Sequence, residues 1–292
     1  MKFVTFKNLG SFGRLGNQLY QCAAVISLAN KHGFDVKFPS FDSAWHGQKC
    51  LMGEFNLSYE TMSSNDTIQH HLNEATSKSG QYDENLDNSL SSLNGNVNLH
   101  GFFQNTKYLI GGEELVREKL MPKKHYLEDA RSYINSLNNN KKEIVGIHVR
   151  RGDNTDGTNA SFFKNLYGEN LMDESTKYGS YIKKALEIFP TEKYDFLVFT
   201  GGSRTVNNES DLDWCKRVFP KEHFFFSESN DTMTDFSRLM SCDHNILSHA
   251  SSFGWWAAYL NTNKDKKIVA PLLYDSHEEF PENFFPKDWI LL

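Results

Sequence analysis

The feature that most constrains the fold is an apolar run that ends in charge, residues 143–153 (EIVGIHVRRGD). Its β-branched and apolar residues predict a buried strand, and the glycine after the arginines predicts a loop. Side chains alternate between the two faces of a strand, so His148 and Arg150 share one face and Arg151 points to the other. We expect one arginine to bind a ligand, with phosphate best suited to a guanidinium fork, and the other to brace the loop. A surface ion pair between Arg151 and Asp153 is the alternative interpretation.

The second half of the chain alternates predicted strands and helices. Strands are expected at 194–200, 223–227, 245–248 and 267–271, and helices at 173–189, 211–219, 235–242 and 252–260. This alternation is typical of a parallel, doubly wound sheet with helices on both faces. The acidic pair Asp211 and Asp213 falls inside one of the helices, so we interpret it as exposed helix charge rather than as a metal-binding motif.

The first 140 residues predict a separate domain. Residues 2–7 form the first predicted strand, and a glycine-rich turn leads into a helix that ends at Gly33. Residues 40–95 predict loops and short helices, and 97–104 predict another strand and turn. The Asn- and Lys-rich run 138–142 is the expected linker, which gives domains at 1–140 and 141–292.

Composition excludes several classes of protein. With 292 residues and 39% hydrophobic content, the chain can build two domains with their own cores. A net charge of −6 argues against nucleic acid as the partner. The four cysteines lack CxxC spacing, and His46, His70 and His71 are interpreted as solvated loop residues, so we expect no zinc site, no disulfide framework and no metal cofactor. No apolar run approaches the roughly 18 residues of a membrane span, and no signal peptide is evident.

Four stretches, in the same order along the chain, resemble the α1,2-fucosyltransferase family. They are GRLGNQLYQCA (13–23), GFFQNTKYL (101–109), HVRRGD (148–153) and DFSRLMSCDHNILSHASSFGWWAAYL (235–260). The HxRRxD pattern is also shared by fucosyltransferases that form α1,6-linked and protein O-linked fucose. The resemblance spans almost the whole chain and implies a GT-B-like α/β fold, in which two Rossmann-like domains face each other across a cleft.

The resemblance implies a metal-independent enzyme that transfers L-fucose, with inversion, from GDP-fucose to the 2-hydroxyl of a terminal galactose in an oligosaccharide. A fucosyltransferase of α1,6 or protein O-linked specificity is one alternative, although Thr158 stands where the α1,6 enzymes carry a glutamate. A non-catalytic glycan- or nucleotide-binding protein of the same fold is another. Animal relatives carry an N-terminal membrane anchor, which is not evident here, so the expected form is a bacterial or viral one in the cytoplasm, free or peripheral to a membrane.

The resemblance also implies which residues form the site. The catalytic residues are expected to be Asn17, Arg150 and Asp153; the donor-binding residues His148, Arg150, Arg151, Asp235, Ser251, Ser252 and Phe253; and the residues of the acceptor cleft Arg14, Gln18 and Asp156. Arg150 and the helix start at Ser251 are expected where negative charge grows on the departing GDP. The base that deprotonates the acceptor hydroxyl stays open between Asp153 and Asp156.

Overall fold

The structure is a computed structural model that describes residues 2–75, 80–137, 141–152, 177–201, 205–206, 209–220, 222–272 and 279–292. Its contacts divide the chain into two compact units. The first comprises Met1–Lys123 with Pro281–Lys287, and the second comprises Lys124–Phe280 with Asp288–Leu292. The predictions made for Asp153, Asp156 and Thr158 lie outside the described residues.

The first unit is built on a parallel sheet. Its strands are β1 (Phe3–Thr5), β2 (Asp35–Phe38), β3 (Ala44–Trp45), β4 (Gln48–Lys49), β5 (Glu60–Thr61), β6 (His70–Asn73) and β7 (Val97–His100), and its helices are α1 (Leu15–His32), α2 (Glu84–Leu90) and α3 (Glu113–Lys119). Short 3₁₀ helices lie at Met52–Glu54 and Thr106–Leu109. Strands β3 and β4 form an antiparallel pair, and the others form a parallel sheet in the order β5-β2-β1-β7-β6.

Helix α1 ends at the predicted glycine. Gly33 adopts the left-handed conformation, with φ 69°, and its N–H donates to the carbonyl of Ala29. A residue with a Cβ is strained in this conformation, which explains why a glycine ends the helix. Lys31 and His32 in the last turn complement the negative end of the helix dipole. The prediction of a helix that ends here is confirmed.

Strand β6 corrects the prediction of loops over residues 40–95. His70 and His71 belong to this strand, which pairs in parallel with β7, so the interpretation of these two histidines as loop residues is wrong. The sequence HHLN hides the strand because an edge strand exposes alternate side chains and needs little apolar character. His46 lies in the exposed turn between β3 and β4. Across the described ranges, no three His, Cys, Asp or Glu side chains come together in a way that could hold a metal ion.

The second unit carries a larger parallel sheet. Its strands are β8 (Glu143–Val149), β9 (Tyr194–Thr200), β10 (Thr205–Val206), β11 (Glu209–Ser210), β12 (Phe224–Phe226), β13 (His244–Ile246), β14 (Ile268–Ala270) and β15 (Ile290–Leu291), and its helices are α4 (Lys124–Leu137), α5 (Lys177–Glu187), α6 (Asp211–Val218), α7 (Thr232–Ser241) and α8 (Ser252–Leu260). Apart from the antiparallel pair β10 and β11, the strands form a parallel sheet in the order β12-β9-β8-β13-β14-β15.

The two faces of β8 meet different neighbours, as the alternation of its residues predicts. Val145, Ile147 and Val149 belong to one apolar core with the side chains of α5 and α6. On the opposite face a Cβ added to Gly146 would lie 2.8 Å from a methyl of Leu239 in α7. The predicted strand is therefore confirmed, and Val145, Ile147 and Val149 lie on the face opposite to Gly146, as expected.

Helix α4 belongs to the second unit by its contacts. The Arg238 guanidinium of α7 lies 3.8 Å from the centre of the Tyr133 ring and donates to the Asp129 carboxylate over 3.1 Å. The domain boundary predicted after residue 140 assigns this helix to the first domain, whereas the two compact units divide after Lys123.

The four cysteines are buried free thiols. Within the described part of the chain, the helices lack the combination of length and apolar character that crossing a bilayer requires.

Candidate functional site

The second sheet reverses its strand order between β8 and β13. From β8 the chain builds outward through β9 to β12, then crosses to β13 and builds outward again through β14. In open α/β sheets, ligands bind in the crevice that such a reversal leaves at the carboxyl ends of the strands. Arg150 and Arg151 follow β8 directly, and the segment that starts α8 follows β13. The predicted donor-binding stretches thus meet at the topological switch point of this sheet.

A direct hydrogen bond joins the two loops at this point. The backbone N–H of Arg150 donates to the hydroxyl oxygen of Ser248 over 3.0 Å. Ser248 is buried and Arg150 is half-buried. The bond fixes the backbone from which the Arg150 guanidinium projects, because Ser248 is itself held in the segment after β13.

His148 lies beside the start of α8. Burial, reinforced by the charge of Arg150, lowers the pKa of His148 to about 3, so the imidazole is neutral at physiological pH. Its ring centre is 5.4 Å from that of Phe253, and its Nδ1 atom has no hydrogen-bond partner among the described residues. A Cβ added to Gly254 would lie 2.8 Å from this nitrogen. The glycine therefore allows the helix start to approach the end of β8 closely.

The predicted serines occupy the start of α8. Ser251 is the N-cap residue, yet its hydroxyl makes no capping hydrogen bond, and this buried oxygen has no partner among the described residues. Ser252 is the first residue of the helix. The first turn of a helix offers backbone N–H groups and a positive dipole end to an anion. A buried hydroxyl that is not used as a cap adds to this capacity for anion binding.

Arg151 is a buried brace held by residues distant in sequence. Its Nε donates to Asp211 Oδ1 over 3.2 Å, and the backbone N–H of Gly152 donates to Asp211 Oδ2 over 2.9 Å. The guanidinium carbon lies 4.0 Å from the centre of the Trp214 ring. Because Asp211 is fully buried, its interpretation as exposed helix charge is wrong. Asp213 is exposed, and its backbone N–H donates the N-capping hydrogen bond to the Ser210 hydroxyl oxygen.

Asp235 is a half-buried acid in the first turn of α7. Burial raises its pKa to about 6, although the Ser227 hydroxyl donates to its carboxylate over 2.6 Å and favours the ionised form. Ser227 follows the carboxyl end of β12, so the acid is held at the same edge of the sheet as Arg150. A carboxylate in this setting can accept hydrogen bonds from N–H donors of a ligand.

The first sheet has its own switch point, between β1 and β7. Gln18 is buried and its side-chain amide donates to the carbonyl of Gly13 over 3.0 Å, so it holds the glycine-rich turn after β1. Asn17 accepts a hydrogen bond of 2.9 Å from Gln104, which lies beyond β7. Arg14 is exposed at the start of α1. Sequence reasoning did not single out Gln104, although it stands in the stretch that resembles the family.

Other supporting residues also escaped prediction from sequence. Gln21 is buried and donates from its side-chain amide to the carbonyl of Phe12 over 2.8 Å. Gln21 could have been identified from the sequence, because it lies one helical turn beyond Asn17 on α1. Asp211, Trp214 and Ser248 support the arginines, but each lies far from them along the chain. No local pattern connects such distant partners.

Comparison with known proteins agrees with this geometry. Residues 6–292 match Glycosyl transferase family 11. An alpha-1,2-colitosyltransferase of Escherichia coli is 27% identical over 73% of this chain and 67% of its own length. A galactoside alpha-(1,2)-fucosyltransferase 1 of Rattus norvegicus is 27% identical over 94% of this chain and 68% of its own length.

Solved structures show the same fold at low sequence identity. A mutant of Arabidopsis thaliana FUT1 in complex with GDP is 15% identical, with a TM-score of 0.54, over 98% of this chain and 74% of its own. POFUT1 in complex with GDP is 13% identical, with a TM-score of 0.54, over 92% of this chain and 98% of its own. With the two parallel sheets, these likenesses confirm the predicted GT-B-like α/β fold class. The chain belongs to glycosyl transferase family 11.

Proposed function

We propose that this family 11 enzyme transfers L-fucose from GDP-fucose to the 2-hydroxyl of a terminal galactose, with inversion, to form an α1,2 linkage. The observation that carries the proposal is the arrangement of Arg150 and the α8 start around the switch point of the second sheet. A galactoside alpha-(1,2)-fucosyltransferase among the relatives supports the acceptor and the linkage. Structures of similar fold in complex with GDP support the nucleotide.

The second unit is proposed to bind the donor. As GDP departs, charge develops on its β-phosphate, and groups already fixed around that position stabilise the transition state without reorganisation. Arg150 supplies a guanidinium on a tethered backbone, and Ser251 and Ser252 supply hydroxyls at a helix start. Arg151 acts through the loop, because its own guanidinium is engaged with Asp211 and Trp214.

The base of the nucleotide is proposed to lie near Asp235 and His148. A guanine edge presents adjacent N–H donors, and the Asp235 carboxylate is an acceptor held by Ser227. The neutral imidazole of His148 offers a ring nitrogen without placing a second positive charge beside Arg150. Phe253, which packs between His148 and Phe236, adds an apolar surface.

The first unit is proposed to bind the acceptor through Arg14, the N-cap residue of α1, and Asn17 in the first turn of that helix. Deprotonation of the acceptor hydroxyl by a positioned base contributes typically about 10²–10⁴-fold to the rate. Asp153 is our first candidate for that base and Asp156 the second, on the sequence resemblance alone.

We propose that the reaction needs no metal ion. Asp211, the first acid of the only DxD sequence in the chain, neutralises Arg151 and binds the Gly152 backbone, so it is not arranged as a metal ligand. The expected result is an unchanged initial rate of GDP release when EDTA is added. Loss of activity in EDTA that Mn²⁺ or Mg²⁺ restores would contradict this prediction.

A second candidate donor is GDP-colitose, because one relative is an alpha-1,2-colitosyltransferase at the same 27% identity as the rat fucosyltransferase. Initial rates measured in parallel with GDP-fucose and GDP-colitose decide between the two candidate donors. We expect GDP-fucose to be used more efficiently, judged by kcat/KM with one common acceptor.

The experiment that tests the proposed function measures GDP release from GDP-fucose in the presence of a phenyl β-galactoside. The matched control is the same galactoside lacking its 2-hydroxyl. We expect release above background with the first acceptor and background release with the second. Equal release with both acceptors, or background release with both, would reject the proposed reaction.

A further inference from the structure

An exposed aromatic side chain lies at the switch point of the first sheet. Phe102, in the loop after β7, is 39% exposed. Its ring stacks on that of Phe12, in the loop after β1, with centroids 4.7 Å apart and planes 20° apart. The two loops therefore combine to present one aromatic face at the carboxyl edge of the sheet, where ligands of such sheets bind.

The pair is anchored to the interior by further rings. The Phe12 centroid is 4.6 Å from that of His100, and the His100 ring lies nearly parallel to the buried Phe6 at 5.9 Å. Phe103 meets Phe6 edge-on at 6.4 Å. Because this column continues into the core, the outermost ring is held in place and loses little freedom when a ligand binds.

The backbone beneath Phe102 is strained and clamped. Phe103 has a φ of 54°, a left-handed conformation that is uncommon for a bulky residue. A single carboxylate oxygen of Glu74 accepts hydrogen bonds from the N–H groups of Phe102 and Phe103, over 2.8 Å and 2.9 Å. Strain of this kind persists where surrounding contacts enforce it, and it concentrates at binding and catalytic sites.

Two side-chain amides belong to the same pair of segments as the aromatic face. Gln104 follows the two phenylalanines and donates to Asn17 over 2.9 Å, and both side chains are half-buried. A sugar ring offers an apolar C–H face to an aromatic ring and hydroxyl groups at its edge, so an aromatic platform beside fixed amides matches its chemistry.

We propose that Phe102, backed by Phe12, is the platform on which a hexose ring of the acceptor glycan stacks, while the amides of Asn17 and Gln104 meet its hydroxyls. This inference rests on the proposed function, which supplies the galactose-terminated acceptor. It assigns to the first unit a subsite that contributes acceptor affinity and leaves donor binding unaffected.

The test compares the wild-type enzyme with Phe102→Ala, Phe102→Tyr and Ile110→Ala. Ile110 is 57% exposed on the same unit and is aliphatic, so its variant controls for loss of any exposed apolar side chain. We expect Phe102→Ala to raise the KM for lactose about tenfold, in line with the loss of one aromatic contact of about 1.4 kcal/mol. The KM for lactose in Phe102→Tyr and in Ile110→Ala should stay within about twofold of the wild-type value. The KM for GDP-fucose should stay within about twofold of wild type in every variant. Thermal melts establish that the variants are folded.

A second measurement needs no turnover. Saturation-transfer NMR with lactose alone should give strong signals from the sugar C–H protons with wild type and Phe102→Tyr, and weak signals with Phe102→Ala. Signals in Phe102→Ala as strong as those in wild type, or no signal with wild type, would contradict the proposal that Phe102 is a sugar-binding platform.

The two measurements also separate the platform from the proposed function. An unchanged lactose KM in an active Phe102→Ala enzyme would reject the platform and leave the reaction intact. Signals that depend on Phe102, in a protein that transfers no fucose, would support the platform and reject the reaction.

Discussion

At the scale of single residues, the two adjacent arginines after β8 have different surroundings and therefore different expected roles. Arg151 is buried between the Asp211 carboxylate and the Trp214 ring. Arg150 is half-buried and directly follows the strand, with its backbone N–H bonded to the Ser248 hydroxyl. Arg151 therefore stabilises the loop, and Arg150 is proposed to bind phosphate.

Conservative replacement of each arginine should separate these roles. Arg150→Lys keeps the charge but loses the bidentate geometry, so we expect turnover to fall on the order of 10²–10³-fold in a protein with a normal melting temperature. Arg151→Lys keeps a charge for Asp211 but loses the flat stacking on Trp214, so we expect a lower melting temperature and a milder loss of rate. Turnover with GDP-fucose and a thermal melt of both variants give the answer. Near-normal turnover in Arg150→Lys would remove this residue from the proposed phosphate site.

The raised pKa of Asp235 predicts that pH has opposite effects on GDP binding and on the stability of the fold. Its pKa is raised to about 6, mainly by burial, with Ser227, Arg238 and Asp231 as its polar and charged neighbours. Below this value the carboxyl protonates and loses its capacity to accept two hydrogen bonds, so GDP affinity should fall as pH drops from 7 to 5. Because the folded pKa lies above its ordinary value, the contribution of Asp235 to stability is present at low pH and is lost as pH rises through about 6.

The matched variant is Asp235→Asn, which cannot ionise. Calorimetric titration of GDP between pH 5 and 7 should show weaker binding by this variant and the loss of most of the pH dependence. An Asp235→Asn protein that binds GDP with the wild-type pH profile would show that another group is responsible.

At the scale of elements, the close approach of α8 to β8 positions the proposed phosphate site. A Cβ at Gly254 would lie 2.8 Å from His148 Nδ1, so Gly254→Ala must displace the helix start or the imidazole. We expect a loss of about 1–3 kcal/mol in the free energy of unfolding and about tenfold weaker GDP binding. Gly53→Ala is the control, because a Cβ there would make an ordinary contact of 3.6 Å with Phe41. If both variants bind GDP like wild type, the helix start does not contact the nucleotide.

The sequence predicts those elements whose residues repeat with a clear period. Strand β8, helix α1 with its glycine cap and helix α8 all lie where apolar spacing and stop signals place them. Strand β6 was missed because it is an edge strand with few apolar residues, and β15 because its two apolar residues are too few to show a period. Their position depends on a neighbouring strand rather than on their own pattern.

The site is predictable in part for the same reason. The resemblance of short motifs indicates Arg150, Ser251 and Asn17, because each motif keeps its residues close together in sequence. Asp211 could not be assigned, since its buried partner is Arg151, which lies in the loop after β8 and far away in sequence. A charge at a helix start has the same local pattern whether it faces water or a buried partner.

At the scale of the whole molecule, the described residues of each unit include a parallel sheet with a switch point. In the first sheet the segments after β1 and β7 bring together Asn17, in the first turn of α1, and Gln104. In the second sheet the loops after β8 and β13 bring together Arg150 and Ser248. We infer that the first unit binds the acceptor and that the second unit binds the donor. Such a division lets acceptor specificity change without disturbing the groups that stabilise the departing GDP.

The measurement that tests the central claim most directly is the structure of the product formed from GDP-fucose and lactose. Two-dimensional NMR of the purified trisaccharide identifies both the anomeric configuration of fucose and the galactose carbon to which it is joined. We predict an α-fucosyl group whose H-1 correlates with C-2 of galactose, as inversion of the β-linked donor requires. Fucose in the β configuration, or α-fucose on another oxygen of lactose, would contradict the account.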